Sequence, residues 1–426
     1  MNDITALLFG YSNKKTVQQA LCSLEKIHHR IDMVMVLDPS VQIGNETKRH
    51  SFDVSFIPEQ DPGRALNRIL SSIKTSYVLF LHDDDYFSST LQPSYVNLDP
   101  YKSVMTVPQH IGKAVIQQPF LIRTNSGNLN PFPSIGHLPF QEALLPAWLS
   151  TLENHQITAI QREGLKKINK NTSKREREKI HFLTKYNTAS MESKSPSLSI
   201  FIANYNMGSY VETALLSCIL QNVQPESVFV IDDGSTDDSR TRLSEWENHP
   251  RVTFMVKENG GKARALNEVL PHISTEFVME LDADDWLDPD AVSIVKHYLQ
   301  DLPEPACVLY GNLRRWKQTA DGGVLYKGLS KGRPVRAKND LVSYRFPLGP
   351  RIYRTSALKQ IGGFPVVPFE HGRLYEDVSV LMNLFKEAPL FFQNFTVYNV
   401  REHKESITKK NHSKWNDFYK SWLDPY

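Results

Sequence analysis

The chain repeats itself at a fixed spacing, and this repeat restricts the possible folds more than any other feature. Six residues within 11–38 recur 194 places later within 205–232. The run 64–67, Arg-Ala-Leu-Asn, recurs 200 places later as 264–267, and a pair of aspartates follows both runs at the same spacing. Shared hydrophobic alternation does not keep identical residues in phase over such lengths. The sequence therefore predicts two related domains in tandem.

Each copy alternates short apolar runs with stretches of helical periodicity. The strand-like runs are Ile4–Phe9, Met33–Leu37, Tyr77–Leu81, Leu198–Ala203, Val228–Ile231 and Phe277–Leu281. Strands that alternate with helices indicate crossover connections, which predicts an α/β fold with a mostly parallel sheet in each domain. We expect the first domain at 1–150 and the second at 196–426.

The segment between them, 151–195, is strongly basic. Ten Lys and Arg residues and only four Glu lie within 161–194, which gives this stretch a charge of +6. Such a stretch could bind nucleic acid or a phosphate-rich polymer. Few aromatic residues interleave with the charges, however, so we interpret it as a solvated helical linker.

Composition excludes several classes of protein. The net charge is +2, which gives no support to a nucleic-acid-binding or lipid-surface role for the whole chain. Three distant cysteines, Cys22, Cys218 and Cys307, argue against a disulfide framework and a structural zinc site. The apolar runs are too short for a membrane span, and residues 1–4 lack the basic region that is typical of a leader sequence. The sequence predicts a soluble cytoplasmic protein.

Three aspartates, Asp282, Asp284 and Asp285, follow the predicted strand 277–281. Ligands of open α/β sheets bind at the carboxyl ends of the strands. Carboxylates this close repel one another unless a cation joins them, and oxygen ligands suit Mg²⁺ or Mn²⁺ bound to a diphosphate. An acidic loop alone is more often a solvated turn, so the position after a strand is what favours a metal site.

A second acidic strand end carries Asp232 and Asp233. A carboxylate there could accept a hydrogen bond from the imide N–H of uracil or thymine, or from a ribose hydroxyl. Lys262 and Arg264 follow two glycines whose backbone can approach a ligand closely, and both cations suit phosphate. A Gly-Gly-Lys run by itself is a weak signal.

Two further candidates lie near the end of the chain. Glu376 and Asp377 open a predicted helix, where acidic residues also complement the helix dipole. His403 follows a strand-like run, and a lone histidine is more often structural than functional.

These motifs together resemble family 2 glycosyltransferases of the GT-A fold. The resemblance covers about residues 196–406 and follows the family's order of motifs. The motifs are Ala203-Asn204-Tyr205-Asn206, the run 232–237, the loop and helix 259–267, Asp282-Ala283-Asp284-Asp285, Gly362-Gly363-Phe364, Glu376-Asp377 and Arg401-x-His403-x-x-Ser406. The resemblance implies a metal-dependent inverting transfer, with Mn²⁺ or Mg²⁺, of a sugar from a UDP- or TDP-linked donor. The acceptor would be a hydroxyl of a carbohydrate or of a protein-linked glycan, and without a membrane span the enzyme would be non-processive.

The resemblance also implies roles for single residues. Asp232 and Asp233 would contact the base and the ribose. Lys262 and Arg264 would contact the nucleotide or its diphosphate. The other nucleotide-binding residues would be Asp282, Ala203 and Tyr205. Asp282 and Asp284 would form the metal-binding Asp-x-Asp motif, and His403 would reach the metal or the diphosphate. Asp377 would be the general base, and Glu376 would lie beside it near the acceptor.

The first copy is degenerate. Pro39 and Ser40 stand where Asp233 and Gly234 lie in the second copy, and His82 replaces Asp282. We therefore predict a non-catalytic GT-A-like first domain that serves packing, dimerisation into a homo-oligomer, or acceptor binding. The tandem arrangement also resembles a spore-maturation glycosyltransferase, which would associate with a cell-surface or spore-coat assembly.

Two other functions stay open. A sugar nucleotidyltransferase also combines an α/β sheet, a glycine-rich loop and an acidic metal site. It would need a glycine-rich signature with Arg and Lys after the first strand, and 203–206 has none. A scaffold with two inactive domains is the other alternative, and the intact acidic motifs of 232–285 count against it.

Overall fold

The computed structural model describes residues 2–37, 50–125, 129–167, 174–187, 196–342, 348–403 and 414–423. The chain divides into two compact units, Met1–Asn187 and Thr188–Tyr426. Four positions used in the sequence comparison, Asp38, Pro39, Ser40 and Ser406, lie outside the described residues. Among the described residues, every helix falls short of the length and apolarity that crossing a membrane requires.

The first unit consists of nine described strands and four described α-helices, besides short 3-10 turns. The strands are β1 (Ile4–Phe9), β2 (Ile31–Leu37), β3 (Asp53–Ile57), β4 (Tyr77–His82), β5 (Asp85–Phe87), β6 (Val104–Ile111), β7 (Ala114–Arg123), β8 (Ile157–Ala159) and β9 (Leu165–Lys167). The helices are α1 (Lys14–Leu24), α2 (Pro62–Ser72), α3 (Leu144–Leu149) and α4 (Lys174–Thr184).

Seven of these strands form one mixed sheet in the order β3-β2-β1-β4-β7-β6-β8. Strands β1 to β4 are parallel, whereas β7 runs antiparallel to both β4 and β6. Helix α1 begins after Asn13, whose side chain accepts a hydrogen bond from the backbone of Thr16. This helix buries an apolar stripe formed by Val17, Ala20, Leu21 and Leu24, which recur at helical spacing. The parallel half of the sheet therefore follows the sequence pattern.

The basic segment 151–195 contains more than a helical linker. Strand β8 extends the sheet beside β6, and β9 pairs with β5. Helix α4 packs on β7 and buries Phe182 and Leu183. A helix needs only a narrow apolar stripe to pack against a sheet. The many charged residues around Phe182 and Leu183 led the sequence interpretation to a solvated helix instead. The first unit consequently ends at Asn187 rather than at residue 150.

The second unit consists of nine described strands and eight described α-helices, besides short 3-10 turns. The strands are β10 (Leu198–Asn204), β11 (Val228–Asp233), β12 (Val252–Lys257), β13 (Phe277–Asp282), β14 (Trp286–Leu287), β15 (Val308–Gln318), β16 (Val324–Ser330), β17 (Arg351–Arg354) and β18 (Leu390–Glu402). The helices are α5 (Gly208–Ile219), α6 (Ser239–Ser244), α7 (Lys262–Val269), α8 (Ala291–Gln300), α9 (Lys338–Val342), α10 (Thr355–Gln360), α11 (Glu376–Glu387) and α12 (Trp415–Leu423).

The sheet of the second unit has the order β12-β11-β10-β13-β17-β15-β18-β14, and β16 pairs with β15 outside this path. Alternate residues of β10 face opposite sides. Ile200 and Ile202 pack with α5 and α8 in one apolar cluster, and Phe201 packs with α7 and α11 in another. The sheet is thus the middle layer between two helical layers, and the strand ends of its parallel half form one common edge.

The two sheets share strand order and register. Ile4 on β1 lies opposite Tyr77 on β4, and Leu198 on β10 lies opposite Phe277 on β13. These positions differ by 194 and 200, the two spacings found in the sequence. The paired strands therefore agree with the predicted duplication of an α/β domain.

One side-chain clamp is also repeated. The amide of Asn67 donates to the carbonyl of Phe132 at 2.9 Å and accepts from its N–H at 2.7 Å. Asn267 makes the same two bonds to Phe364, at 2.8 and 2.7 Å. In each unit this Asn clamp fastens the helix that leads into the fourth strand, α2 or α7, to a loop far along the chain.

Candidate active site

The predicted site residues of the second unit converge on one edge of its sheet. Ala203 on β10 lies opposite Asp282 on β13, and Asn204 lies opposite Asp232 on β11. All three strands are parallel, so they present these residues at the same carboxyl edge. This is the edge at which the sequence analysis placed a ligand.

Asp232 is fully buried at this edge. Its carboxylate accepts hydrogen bonds from the Asn204 amide at 2.8 Å, the Ser235 N–H at 3.0 Å and Arg240 Nε at 2.9 Å. Burial alone would raise the pKa of Asp232, but these bonds from Ser235, Arg240 and Asn204 hold it below its ordinary value. The charge is thereby fixed on Asp232, and most of its acceptor positions are used inside the protein.

Asp233 joins β11 to the glycine-rich loop. Its carboxylate accepts from the backbone N–H groups of Gly260 at 2.8 Å and Gly261 at 2.7 Å, and from Lys257 Nζ at 3.0 Å. Gly261 has φ +96°, a conformation that L side chains rarely adopt, and this turns its N–H toward the carboxylate. Contact of Asp232 and Asp233 with a nucleotide stays a prediction, and both already hold the loops in place.

Lys262 is the central cation of the site. Its ammonium group contacts Asp282, donates to Glu280 Oε1 at 2.7 Å and lies 3.9 Å from Glu376 Oε1. Burial disfavours the ammonium charge, but the surrounding carboxylates outweigh it and raise the pKa of Lys262 well above its ordinary value. Arg264 is exposed and holds backbone instead, donating to the carbonyl of His371 at 2.9 Å.

Glu280, which the sequence analysis did not select, is buried beside the site and bonds to Lys262, Arg351 and Tyr353. It accepts two hydrogen bonds from Arg351, at 2.8 and 2.7 Å, and one from the Tyr353 hydroxyl at 2.8 Å, besides the bond from Lys262. Burial alone would raise its pKa, but the charges of Arg351 and Lys262 lower the pKa of Glu280 below its ordinary value. Arg351 Nη1 also lies 3.8 Å from Asp377 Oδ2. Through its two cations Glu280 links the Asp282 side of the site to the helix that carries Asp377.

Asp284 and His403 meet at the other side of the loop. His403 Nε2 lies 2.8 Å from Asp284 Oδ2, and the His403 ring is centred 4.9 Å from the ring of Tyr210. Asp285 is buried, and its carboxylate accepts from the backbone N–H of Arg401 at 2.8 Å. Burial and the neighbouring aspartates raise the pKa of Asp285 well above its ordinary value. Asp285 therefore fastens the acidic loop to β18, whereas Asp284 remains partly exposed.

The expected metal ligands do not converge as a set of three. Among the described residues, no three His, Cys, Asp or Glu side chains are grouped so that they could hold a metal ion. Asp282 is engaged by Lys262, whereas Asp284 and His403 pair with each other. The aspartates are the ligand type that Mg²⁺ and Mn²⁺ prefer, so the chemistry of Asp282 and Asp284 suits such a cation, although both side chains are engaged with other residues.

Glu376 and Asp377 occupy the first turn of α11, as the sequence predicted. Glu376 is 16% exposed, and burial raises its pKa to about 7, an effect that Lys262 opposes and Asp377 reinforces. Asp377 is 21% exposed, and its Oδ1 accepts from the N–H of Val378 at 2.8 Å. Two adjacent carboxyl groups with different environments thus lie beside Lys262 and Arg351.

Tyr205 lies just beyond the end of β10 with 44% of its surface exposed, and Ala203 is half-buried within that strand. The Tyr205 ring is available for stacking, but no described contact ties it to the carboxylates. Its role beside a nucleotide stays a prediction.

The corresponding edge of the first unit is built differently. Asp84, the counterpart of Asp284, is buried, and its Oδ1 accepts from the Ser12 N–H at 2.8 Å and from the Ser12 hydroxyl at 3.1 Å. The backbone of Asp83 and Asp84 is left-handed, with φ of 52° and 68°, whereas the φ angle of Asp284 is not positive. His82 is buried as well. This turn directs Asp84 into the fold, which agrees with the expected degenerate first copy.

Sequence comparison identifies the region that carries these residues. Residues 199–360 match the family described as "Glycosyl transferase family 2". The chain is 29% identical over 228 residues to a chondroitin synthase of Escherichia coli, which covers 51% of this chain and 32% of that protein. It is 37% identical over 119 residues to a hyaluronan synthase of Pasteurella multocida, covering 28% of this chain and 12% of that protein. The chain thus spans about a third or less of the length of these curated relatives.

Among solved structures, a fragment of S. aureus TarS in complex with UDP matches with a TM-score of 0.36 and 21% identity, covering 48% of this chain and 60% of that one. The family match contains Asp232, Asp233, Lys262, Asp282 and Asp284, and ends before α11. The resemblance to a spore-maturation enzyme stays a prediction. The second unit of this chain carries a glycosyl transferase family 2 domain.

Proposed function

We propose that this chain is an inverting glycosyltransferase that moves a sugar from a nucleotide diphosphate to a hydroxyl acceptor. The observation that carries the proposal is the position of Lys262, which contacts Asp282 and lies 3.9 Å from Glu376. The donor edge of a family 2 domain and the helix with the candidate base thus meet at one cation. A UDP- or TDP-linked sugar is the proposed donor, and a glycan is the proposed acceptor.

On the donor side, the strand ends hold the nucleotide and Lys262 faces its diphosphate. Lys262 keeps its positive charge because carboxylates surround it. When the diphosphate arrives, its negative charge competes with Asp282 for the ammonium group, which frees that carboxylate. Asp232 and Asp233 fix the loops around the base, and Tyr205 offers an exposed ring on which the base stacks.

On the acceptor side, Asp377 is the proposed general base. It takes the proton of the acceptor hydroxyl as that oxygen attacks the anomeric carbon, and the nucleoside diphosphate leaves with the electrons of the broken bond. Arg351 Nη1 lies 3.8 Å from Asp377 Oδ2, so the candidate base stands beside a cation. Glu376 is the alternative base, since a carboxyl with a pKa of about 7 is also suited to proton transfer near neutral pH.

Asp284 and Asp282, with His403 beside Asp284, are the residues that would hold Mn²⁺ or Mg²⁺. Such a cation supplies positive charge against the departing diphosphate. His403 also keeps Asp284 in position through the 2.8 Å contact between them. Glu280 is a positioning residue in this scheme, because it holds Lys262 and Arg351 at fixed places on either side of the reacting groups.

The test is donor hydrolysis by the full chain without added acceptor. The protein is incubated with UDP- and TDP-sugars and Mn²⁺, and release of the nucleoside diphosphate is measured. We expect one donor to be hydrolysed slowly by the wild-type chain and not by Asp284→Ala. If no donor is hydrolysed and none raises the melting temperature, the chain is a scaffold and the proposal is wrong.

A further inference from the structure

A strongly basic hairpin extends from the sheet of the second unit. We define the basic hairpin as residues 313–338, which comprise the end of β15, all of β16 and the segment up to the start of α9. It contains eight Lys and Arg residues and one acidic residue, Asp321. The whole chain carries only +2, so positive charge is concentrated here.

Most of this charge faces solvent. On β15 the exposed residues are Arg315 and Lys317, and on β16 they are Leu325, Lys327 and Leu329. Lys331, Arg333, Arg336 and Lys338 follow, and all are exposed. In the part of the chain that the structure describes, no ion pair engages Lys317, Lys327 or Lys331. The hairpin thus presents a row of cations with leucines between them.

The first unit lacks this extension. There β6 and β7 correspond to β15 and β17, and a two-residue turn, Gly112-Lys113, connects them. In the second unit the connection between β15 and β17 contains β16 and most of the basic hairpin. The charged segment is therefore an insertion in the copy that carries the candidate active site.

Protection of a sheet edge does not account for the charge. Strand β16 is an edge strand, and lysines on such strands prevent pairing with other chains. One or two charges of either sign serve that purpose, and the bulge opposite Arg315 and Trp316 already interrupts the edge. Arg314 is buried against Asp288 and Arg315 pairs with Glu402, which leaves six exposed cations against one acid. Six is still more than this protection needs, and the excess indicates a negatively charged partner.

The hairpin adjoins the active site through a chain of side chains. Gln318 ends β15, and its Oε1 accepts from the Tyr210 hydroxyl at 2.9 Å. The Tyr210 ring lies 4.9 Å from that of His403, which contacts Asp284. Strand β16 then leads away from this point, and one residue of strand advances about 3.3 Å. The row of cations therefore begins beside the candidate site and continues away from it.

We propose that the basic hairpin binds the acceptor and that the acceptor is a polyanionic glycan. This inference rests on the proposed function and names its acceptor class. The cations pair with carboxylate, sulfate or phosphate groups of the glycan, and Leu325 and Leu329 pack against the C–H faces of its sugar rings. The growing end would then reach Asp377 while the rest of the chain lies along β16.

The test compares charge reversal on the hairpin with a matched reversal elsewhere. The variant is Lys327→Glu with Lys331→Glu, and the control is Lys113→Glu with Lys386→Glu, two exposed lysines outside the hairpin. Both pairs change the net charge equally. Binding of the full chain to chondroitin sulfate, to neutral dextran of similar length and to anionic phospholipid vesicles is measured by affinity electrophoresis and co-sedimentation at low and moderate salt.

We expect the wild-type chain to bind chondroitin sulfate but not dextran, with an affinity that falls as salt rises. The hairpin variant should bind chondroitin sulfate at least about tenfold more weakly than the wild type does. The control variant should bind it with the affinity of the wild type. Equal weakening in both variants, binding to vesicles but not to the glycan, or no glycan binding by the wild type would each overturn the inference. Donor hydrolysis is measured in parallel and should be unchanged in both variants. Its absence from the wild type would instead refute the proposed function, whatever the glycan binding.

Discussion

Replacing Glu376 with glutamine should stabilise the second unit at alkaline pH and leave it unchanged at acidic pH. Burial, reinforced by Asp377 and Glu280 and opposed by Lys262, raises the pKa of Glu376 from 4.5 to about 7. The folded chain therefore keeps a proton on Glu376 that the unfolded chain has already lost. A carboxyl with a raised pKa contributes stability below its unfolded pKa and loses it as pH rises through its folded pKa.

The pH window and the size of the effect follow from those two values. One pKa unit corresponds to about 1.4 kcal/mol, so a shift of about 2.5 units makes the ionised Glu376 cost about 3 kcal/mol. The cost is absent near pH 4 and fully present above about pH 8. Glu376→Gln cannot ionise, and its free energy of unfolding should exceed that of the wild type by about 3 kcal/mol at pH 8.

Urea unfolding of the full chain in EDTA, from pH 5 to pH 8.5, measures this difference. Exposed Glu304 provides the control, since Glu304→Gln should give the same difference at every pH. A Glu376→Gln difference that does not change with pH would refute the reasoning. A Glu376→Gln variant that is less stable than the wild type by the same amount from pH 5.5 to pH 8.5 would mean that Lys262 outweighs burial and that Glu376 is ionised throughout.

Four further predictions concern the site. Asp377→Asn should lower turnover by about 10²–10⁴-fold, measured by nucleotide release, and should leave the donor affinity unchanged in calorimetry. A variant at least half as active as the wild type would exclude Asp377 as the base. Asp284→Ala should abolish the tightening of UDP binding by Mn²⁺ in calorimetric titrations, and an unchanged metal dependence would refute its assignment. Glu280→Gln should lower the free energy of unfolding by about 3–5 kcal/mol, because Lys262 and Arg351, both largely buried, lose the carboxylate that they share, whereas Tyr353→Phe should cost about 1 kcal/mol. Equal losses in urea unfolding would mean that the charge of Glu280 is not what matters. Asp84→Ala should destabilise the first unit by about 1–3 kcal/mol and leave donor hydrolysis intact, and loss of metal-dependent hydrolysis would show that the first copy has a working site.

The duplicated framework was predictable because strand pairing depends on local patterns. Equivalent residues of the two sheets are 194 or 200 positions apart, which are the spacings found in the sequence. The acidic strand ends were predictable for the same reason, since parallel strands bring Asp232 and Asp282 to one edge. Their individual partners were not, because Gly260 and Gly261 reach Asp233 through backbone groups that every residue possesses.

The partners of Glu280 could not be predicted from the sequence. A single glutamate inside the apolar run 277–281 was a signal of a buried ion pair. Its partners Arg351 and Tyr353 lie more than 70 residues away, on a strand that runs antiparallel to β13. No periodicity connects such positions. Their meeting depends on how the antiparallel half of the sheet is assembled, which sequence spacing does not encode.

The repeated Asn clamp gives the chain an internal control for mutational experiments. Asn67 keeps the clamp in the copy in which Asp84 is turned into the fold, so the clamp does not depend on how the acidic strand end is arranged. Random mutagenesis that scores activity alone would count Asn267 among the essential residues. Because Asn67 makes the same two bonds in the first unit, the matching substitution there measures the cost of losing the clamp apart from any effect on the candidate site.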